Sequence, residues 1–254
     1  MNKKTILIFL LGFLISAVLF GVVCLAHRSA TRVTELPQPA ETLPLNTKIV
    51  PMAVAPPVKD VQDDSAGTPE FKTFLSSKPD AHSLIQEVKS GDTLTSIAKK
   101  YHVTVDIIRR INHLDGNKLF LGAKLKIPTY KLSVVVDKSQ NTLILKGDED
   151  ILKTYIVSTG VNNSTPVGVF KITDKLVNPT WYKPDGKVIP YGNPANLLGA
   201  RWMGLSKKGY GIHGTTEPEK LGQQITDGCV RMKNEDVEEL YGFLIPGTEV
   251  TLVD

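Results

Sequence analysis

"LSVVVDKSQNTLILKGDEDILKTYIVST", residues 132–159, holds three runs rich in β-branched residues, "LSVVVD", "TLILK" and "LKTYIVST". Short polar turns separate them, which is the pattern of successive strands. The same rhythm continues through "VFKIT", "RWMGLS", "GYGIHG" and "TEVTLVD" to the C-terminus. One stretch, "NEDVEELYGFL", reads as helix: Asn234 can cap it, acids fill its first turn, and Val237, Leu240 and Tyr241 share a face. Residues 130–254 are therefore expected to form a mainly-β, sandwich-like domain with antiparallel pairs.

Upstream, residues 84–128 read as a separate small α+β unit in the order strand, helix, helix, strand. "LIQEVKS" is the first strand, and Asp92 or Thr93 can cap the helix after it. Leu94, Ile97, Ala98 and Tyr101 recur at helical spacing. In "HVTVDIIRRIN", Thr104 can cap, Asp106 lies in the first turn, and Arg109 and Arg110 lie near the end, an order that complements the helix dipole. A turn at Gly122 leads to a short strand closed by Pro128.

Residues 27–83 read as a tether: prolines recur and no aromatic precedes Phe71. Such a segment lacks the apolar surface needed to fold. Within it, "PEFKTFLSSK" is the one short-helix candidate. Residues 1–4, "MNKK", form a positive tip, and Thr5 to Ala26 run uncharged for 22 residues. That length suits a bilayer-spanning helix of about 20 residues better than the shorter apolar core of a cleaved signal peptide. The expectation is one uncleaved transmembrane anchor in the cytoplasmic membrane, with the rest of the chain extracytoplasmic (periplasmic) in the cell envelope. The net charge of +4 and the lack of any long Lys/Arg run give no reason to expect nucleic acid as a partner.

The chain has two cysteines, Cys24 in the apolar run and Cys229 in "DGCVRM", residues 227–232. Outside the cytoplasm thiols tend to be paired. Cys229 has no partner in its own domain, so it is either buried or chemically used. A thiol attacks as thiolate, and a catalytic one needs a base or a positive neighbour. Of five histidines only His213 shares its domain, so thiol–imidazole chemistry would have to use that pair. Gly211, Gly214 and Gly228 permit close backbone approach there. Arg231 would share a face with Cys229 in an extended segment. On counts alone, one cysteine and one histidine in a domain of this size are more often structural.

The local motifs weigh against that bland reading. "IHGT", then "GCVRM" with its cysteine sixteen positions after His213, together with "VSTGVNNSTPVGVFKIT" and "MKNEDVEELYGFLIPGTEVTLV", resemble the L,D-transpeptidase (YkuD-like) catalytic domain. "VKSGDTLTSIAKKYHVTVDIIRRIN" with "LFLGAKLKIP" resembles a LysM domain. The first resemblance implies a transferase that makes peptidoglycan crosslinks in cell wall biogenesis, with no cofactor and no metal. Cys229 would be the nucleophile, His213 its base, and the Gly214 carbonyl the group that orients the imidazole. Backbone N–H groups around Asp227, Gly228 and Cys229 would form an oxyanion hole. Arg231 would hold the loop or the stem peptide, and Thr215 would be a further substrate contact. Trp181, Tyr182, Tyr191 and Trp202 either line the donor cleft, with Tyr191 and Trp202 meeting the substrate, or serve as core packing or a lid.

The LysM resemblance implies glycan binding by loops holding Gly91, Asp92, Thr93, Asn117 and Leu119. One departure is Asp227, which stands where the family often has His or Arg. It is expected to point away from the sulfur, towards Arg231 or a substrate amine. The same domain would also suit L,D-carboxypeptidase activity or protein-to-peptidoglycan attachment. An inert wall-binding scaffold is the non-enzymatic alternative. Sortase-like and NlpC-type readings fit less well: the first places its cysteine and arginine further apart, and the second reverses the cysteine–histidine order.

Overall fold

The computed structural model describes residues 66–254. The transmembrane expectation for 5–26, Cys24 and most of the tether lie outside these residues. No helix among the described residues is long and apolar enough to cross a membrane.

The described chain begins with the short helix expected within the tether segment, although that helix packs where the tether was expected to stay extended. Helix α1 spans Pro69–Leu75, with proline in the first turn and the Thr68 side chain accepting from the Phe71 amide. Phe71 and Phe74 are buried, and both rings lie about 6 Å from that of Phe243 (6.0 and 5.7 Å). Phe74 also meets Tyr130 edge-on at 5.7 Å. The first two aromatics after the proline-rich stretch supply the apolar surface that the preceding residues lack, so the extended tether stops short of residue 83.

Strand β1 (Ser83–Glu87), helices α2 (Leu94–Tyr101) and α3 (Val105–Ile111), and strand β2 (Lys124–Pro128) follow in the expected order. β1 and β2 pair antiparallel. Thr93, not Asp92, caps α2, in a reciprocal box with Ser96. Asp92 instead accepts from the Lys89 amide at 2.8 Å. Leu94, Ile97, Ile108 and Ile111 are buried. Asn112 ties the end of α3 to β2 through both the amide and the carbonyl of Lys126.

The third part contains β3 (Leu132–Asp137), β4 (Thr142–Gly147), β5 (Asp150–Ile156), β6 (Thr159–Gly160), β7 (Gly168–Val177), β8 (Trp181–Tyr182), β9 (Val188–Ile189), β10 (Arg201–Leu205), β11 (Gly211–His213), β12 (Gln224–Thr226), β13 (Val230–Arg231), helix α4 (Asn234–Phe243) and β14 (Glu249–Val253). Eight strands form a continuous sheet in the order β13-β11-β10-β7-β14-β3-β4-β5. The long strand β7 joins its halves, pairing with β14 through its first residues and with β10 through its last. This corrects two details of the expectation: the sheet halves share a strand, and β14–β3 and β11–β13 are parallel.

Alternation along β3 and β4 buries Val134, Val136, Leu143 and Leu145 completely. Full burial of each such side chain stabilises by roughly 1.5–3 kcal/mol. Helix α4 buries Val237, Leu240 and Phe243, while Tyr241 is only half-buried. Its cap is a further correction. Lys233 occupies the N-cap position without a side-chain bond, and Asn234 is used elsewhere.

The small α+β unit is seated on this sheet domain. Thr104 donates to the Gly242 carbonyl at the end of α4, and Arg110 pairs with Glu239 at 2.9 Å. Lys126, almost fully buried, donates to the carbonyls of Thr73 and Ser76 and to Asp80. The Thr68 amide and hydroxyl reach the Leu152 carbonyl on the edge strand β5. Segment 68–80 thus straps the two parts together.

Candidate active site

His213 ends β11, flanked by antiparallel β10 and by parallel β13, and it sits in register with Arg231. Cys229 is the residue before β13, so the parallel pairing brings the cysteine loop up beside the histidine strand. Both residues line one cleft of about 610 Å³, with Trp181, Tyr182, Trp202, Tyr210 and Arg231. The sixteen-residue separation in sequence is closed by sheet register.

His213 is 4% exposed, and its Nδ1 lies 2.6 Å from the Gly214 carbonyl oxygen. A carbonyl can only accept, so Nδ1 carries the proton and Nε2 is left as the acceptor. Burial lowers the imidazole pKa to about 4. The Gly214 contact pulls it upward, and the Arg231 charge adds to the lowering. The ring is therefore neutral at neutral pH, in the tautomer a general base needs.

The Cys229 thiol is raised above its ordinary value, first by burial. The Gly211 backbone lowers it, the Asp227 charge raises it and the Arg231 charge lowers it. Its Sγ lies 3.6 Å from the Gly209 carbonyl oxygen. The resting pair is thiol and neutral imidazole, and proton transfer must accompany attack.

The cysteine loop is held by a hydroxyl. Thr226 Oγ1 accepts from the Gly228 amide at 3.1 Å and donates to the Cys229 carbonyl at 2.6 Å. The Gly228 amide is thereby engaged, which removes it from the expected oxyanion hole. The Asp227 and Cys229 amides have no partner among the described residues. Gly228 has φ +128°, and a Cβ there would meet the Tyr210 ring at 2.6 Å. Thr165 supports the loop from below, donating to the Gly228 carbonyl and accepting from the Gly160 amide.

Arg231 is 7% exposed, and its partner is Glu217 at 3.2 Å, not Asp227. Asp227 is exposed at the cleft mouth. Trp202 lies in the cleft and stacks on His213. Thr215 is buried, with its hydroxyl accepting from the Glu217 amide, so it shapes the loop after His213 and does not face the cleft. Tyr191 is about half exposed on the turn after β9 and is not among the cleft residues. Neither is therefore placed to meet a substrate as expected.

Asn234 was legible only as a helix cap. Its side chain instead accepts from the Ala200 amide and donates to the Thr215 carbonyl, fixing the loop that carries Gly214. Gly199, at φ +64°, makes room for it, since a Cβ would lie 2.3 Å from Asn234 Oδ1. Glu217 also escaped the sequence reading, because its pairing with Arg231 depends on a contact between loop and strand.

In the small unit, Gly91 adopts φ +85° and Thr93 is spent on its cap. Asn117 is exposed and Leu119 half-buried. The exposed apolar residues of that loop are Phe120 and Leu121. Among the described residues no group of three or more His, Cys, Asp or Glu converges to hold a metal.

Comparison with known proteins agrees with this geometry. Residues 131–252 match the model of the L,D-transpeptidase catalytic domain, YkuD, and residues 87–128 that of the LysM domain. The chain is 34% identical over 176 residues to the putative L,D-transpeptidase YkuD of Bacillus subtilis, covering 66% of this chain and 98% of that protein. It is 40% identical over 127 residues to the putative L,D-transpeptidase YqjB of the same organism, covering 48% of this chain and 70% of that one. It is 28% identical over 190 residues to the probable L,D-transpeptidase YcfS of Escherichia coli, covering 65% and 59%. A buried, Nδ1-anchored histidine sharing a cleft with the Cys229 thiol, on a sheet preceded by a LysM domain, together with 34% identity to a relative matched over 98% of its length, places this chain in the L,D-transpeptidase family of the YkuD type.

Proposed function

We propose that the enzyme builds peptidoglycan crosslinks through a thioester on Cys229, with His213 as base. The observation that carries this is the fixed tautomer of His213, whose free Nε2 shares a cleft with the thiol. The donor is a tetrapeptide stem. The thiol proton passes to His213 Nε2 as sulfur attacks the carbonyl carbon of the third residue. The C–S bond forms and the C–N bond to D-Ala breaks. His213 returns the proton to the departing amine. An acceptor amine then attacks the thioester, a C–N bond forms, and the thiol is released. The free amide of Cys229 and that of Asp227 are the candidate oxyanion donors. Arg231 holds a carboxylate of the stem or steadies the loop through Glu217. Water in place of the amine gives carboxypeptidase activity, and a protein amine gives attachment.

The LysM domain holds glycan, with Gly91 and the 114–121 loop as its contact surface, so that the enzyme stays on its polymeric substrate. Residues 1–4 are a cytoplasmic tip and 5–26 anchor the chain in the membrane, leaving the catalytic domain, within 130–254, in the wall space. Extraction of membranes at alkaline pH should leave the protein in the pellet, and release into the supernatant would remove the anchor from this reading.

The central test incubates the protein with a disaccharide tetrapeptide, with Cys229→Ala alongside, and reads products by mass. Dimers short of one D-Ala that vanish in the variant are expected. Loss of D-Ala without dimers would shift the reading to carboxypeptidase. Absence of any cysteine-dependent product, with no carbapenem adduct on Cys229, would leave an inert wall-binding protein.

A further inference from the structure

The proposed proton transfer places a positive charge on His213 in a buried position. Its Nδ1 faces a neutral carbonyl, where many hydrolases place a carboxylate, and the nearby Arg231 opposes the charge. Cys229, Asp227, Tyr182 and Tyr210 are the remaining titratable groups on the cleft beside it. Something must hold the ring at its angle and favour its protonated form.

Three adjacent strands supply a candidate. Trp202 on β10 pairs across the strands with His213 on β11, so both side chains leave the same face. Their rings stack at 20° with centroids 5.9 Å apart. The indole Nε1–H donates to Asp174 on β7 at 3.0 Å. Two glycines make this arrangement possible. Asp174 lies opposite Gly204, and Gly204 opposite Gly211, on the face that carries Trp202 and His213. A Cβ at Gly204 would lie 2.1 Å from Asp174 Oδ1, and one at Gly211 would lie 2.5 Å from the indole ring. The space of two missing side chains is filled by the carboxylate and the indole.

We infer that Asp174 and Trp202 are positioning residues for His213: the carboxylate fixes the tilt of the indole, and the indole face holds the imidazole and stabilises it when it is protonated. An aromatic face favours a cation lying over it, and offset stacking suits the neutral ring as well. This rests on the Cys229–His213 pair but not on the identity of the donor.

The test therefore uses a reagent that needs no cleft. The full-length protein is alkylated with iodoacetamide from pH 4 to 9, and modification of Cys229 is followed by peptide mass. His213→Ala sets the rate without a base. Trp202→Leu should slow Cys229 alkylation about three- to tenfold below the thiol's own titration, the range a single cation–aromatic contact covers, and should move the pH profile towards that of His213→Ala. Asp174→Asn, which keeps an acceptor for the indole, should behave as the parent does. Asp174→Leu and Trp202→Phe should each lose part of the rate.

Should Trp202→Leu fail to fold, the Asp174 pair and Trp202→Phe carry the comparison. Parental rates and profile in Trp202→Leu, or Asp174→Leu matching Asp174→Asn, would overturn the assignment. So would a parental rate in His213→Ala, which dissolves the pair itself. Normal alkylation with no peptidoglycan product would instead count against the donor proposed above and leave this inference standing.

Discussion

At the scale of single residues the chemistry turns on protons. His213 is held near pKa 4 by burial, below its ordinary 6.5. The acid limb of the kcat/KM profile should therefore fall near pH 4, and a limb near 6.5 would show that the ring is wetter than its burial implies. The thiol moves the other way, so Cys229 should resist alkylation at neutral pH more than a free cysteine does once His213 is removed. The Asp227 charge is one of the causes raising it, although the side chain is exposed. Screening by water keeps such an effect small. Asp227→Asn should accelerate Cys229 acylation at pH 7 by no more than about threefold, a gain measurable with a carbapenem. A much larger gain would mean the aspartate faces the sulfur directly.

At the scale of elements, helix α1 is the informative piece. Proline content makes the stretch 27–83 read as a spacer, with one short-helix candidate at residues 69–78. Two phenylalanines decide otherwise, because Phe71 and Phe74 close a ring cluster with Phe243 and Tyr130. Phe74→Ala should cost about 3–5 kcal/mol, as large-to-small core changes do, read as a loss in denaturant midpoint at unchanged slope. The active-site loop is an element of the same kind. Gly228→Ala places a Cβ against Tyr210 at a backbone angle suited to glycine. Acylation should drop at least about tenfold, given the sensitivity of catalysis to displacements of about 1 Å, and the melting temperature should fall as well, because alanine at a positive φ is destabilising.

For the molecule as a whole, titration and stability are linked. Unfolded histidine protonates around pH 6.5 and folded His213 only around 4. Between those values the unfolded chain binds the extra proton, so stability falls as pH drops from 6.5 towards 4. Above 6.5 this residue adds no pH dependence. Asp80 works further down. Its own burial would raise it, but the bond to Lys126 and the His82 amide hold it below its usual value. Its contribution persists above about pH 4 and is lost beneath it, releasing the strap. Urea melts between pH 3 and 8 should show both regions, and Asp80→Asn should flatten only the lower one.

What the sequence determined by itself was whatever depends on near neighbours and residue chemistry. Alternation fixed the buried sides of β3 and β4, capping residues fixed α2 and α3, and a single histidine sharing a domain with a single thiol named the pair. The motif spacing named the family. Contacts between residues far apart in the chain needed the tertiary structure. The parallel β11–β13 pairing sets Arg231 beside His213, and its partner proved to be Glu217 from a loop. Asn234 reads locally as a cap yet bonds to Ala200 and Thr215, because the sheet delivers those backbone groups to it. Asp174, Trp202 and the two glycines form one unit only through the order β7-β10-β11. Local patterns cost and gain energy within a few residues and can be read along the chain. Strand order and register are settled by the burial of the whole sheet, and they decide which polar groups meet.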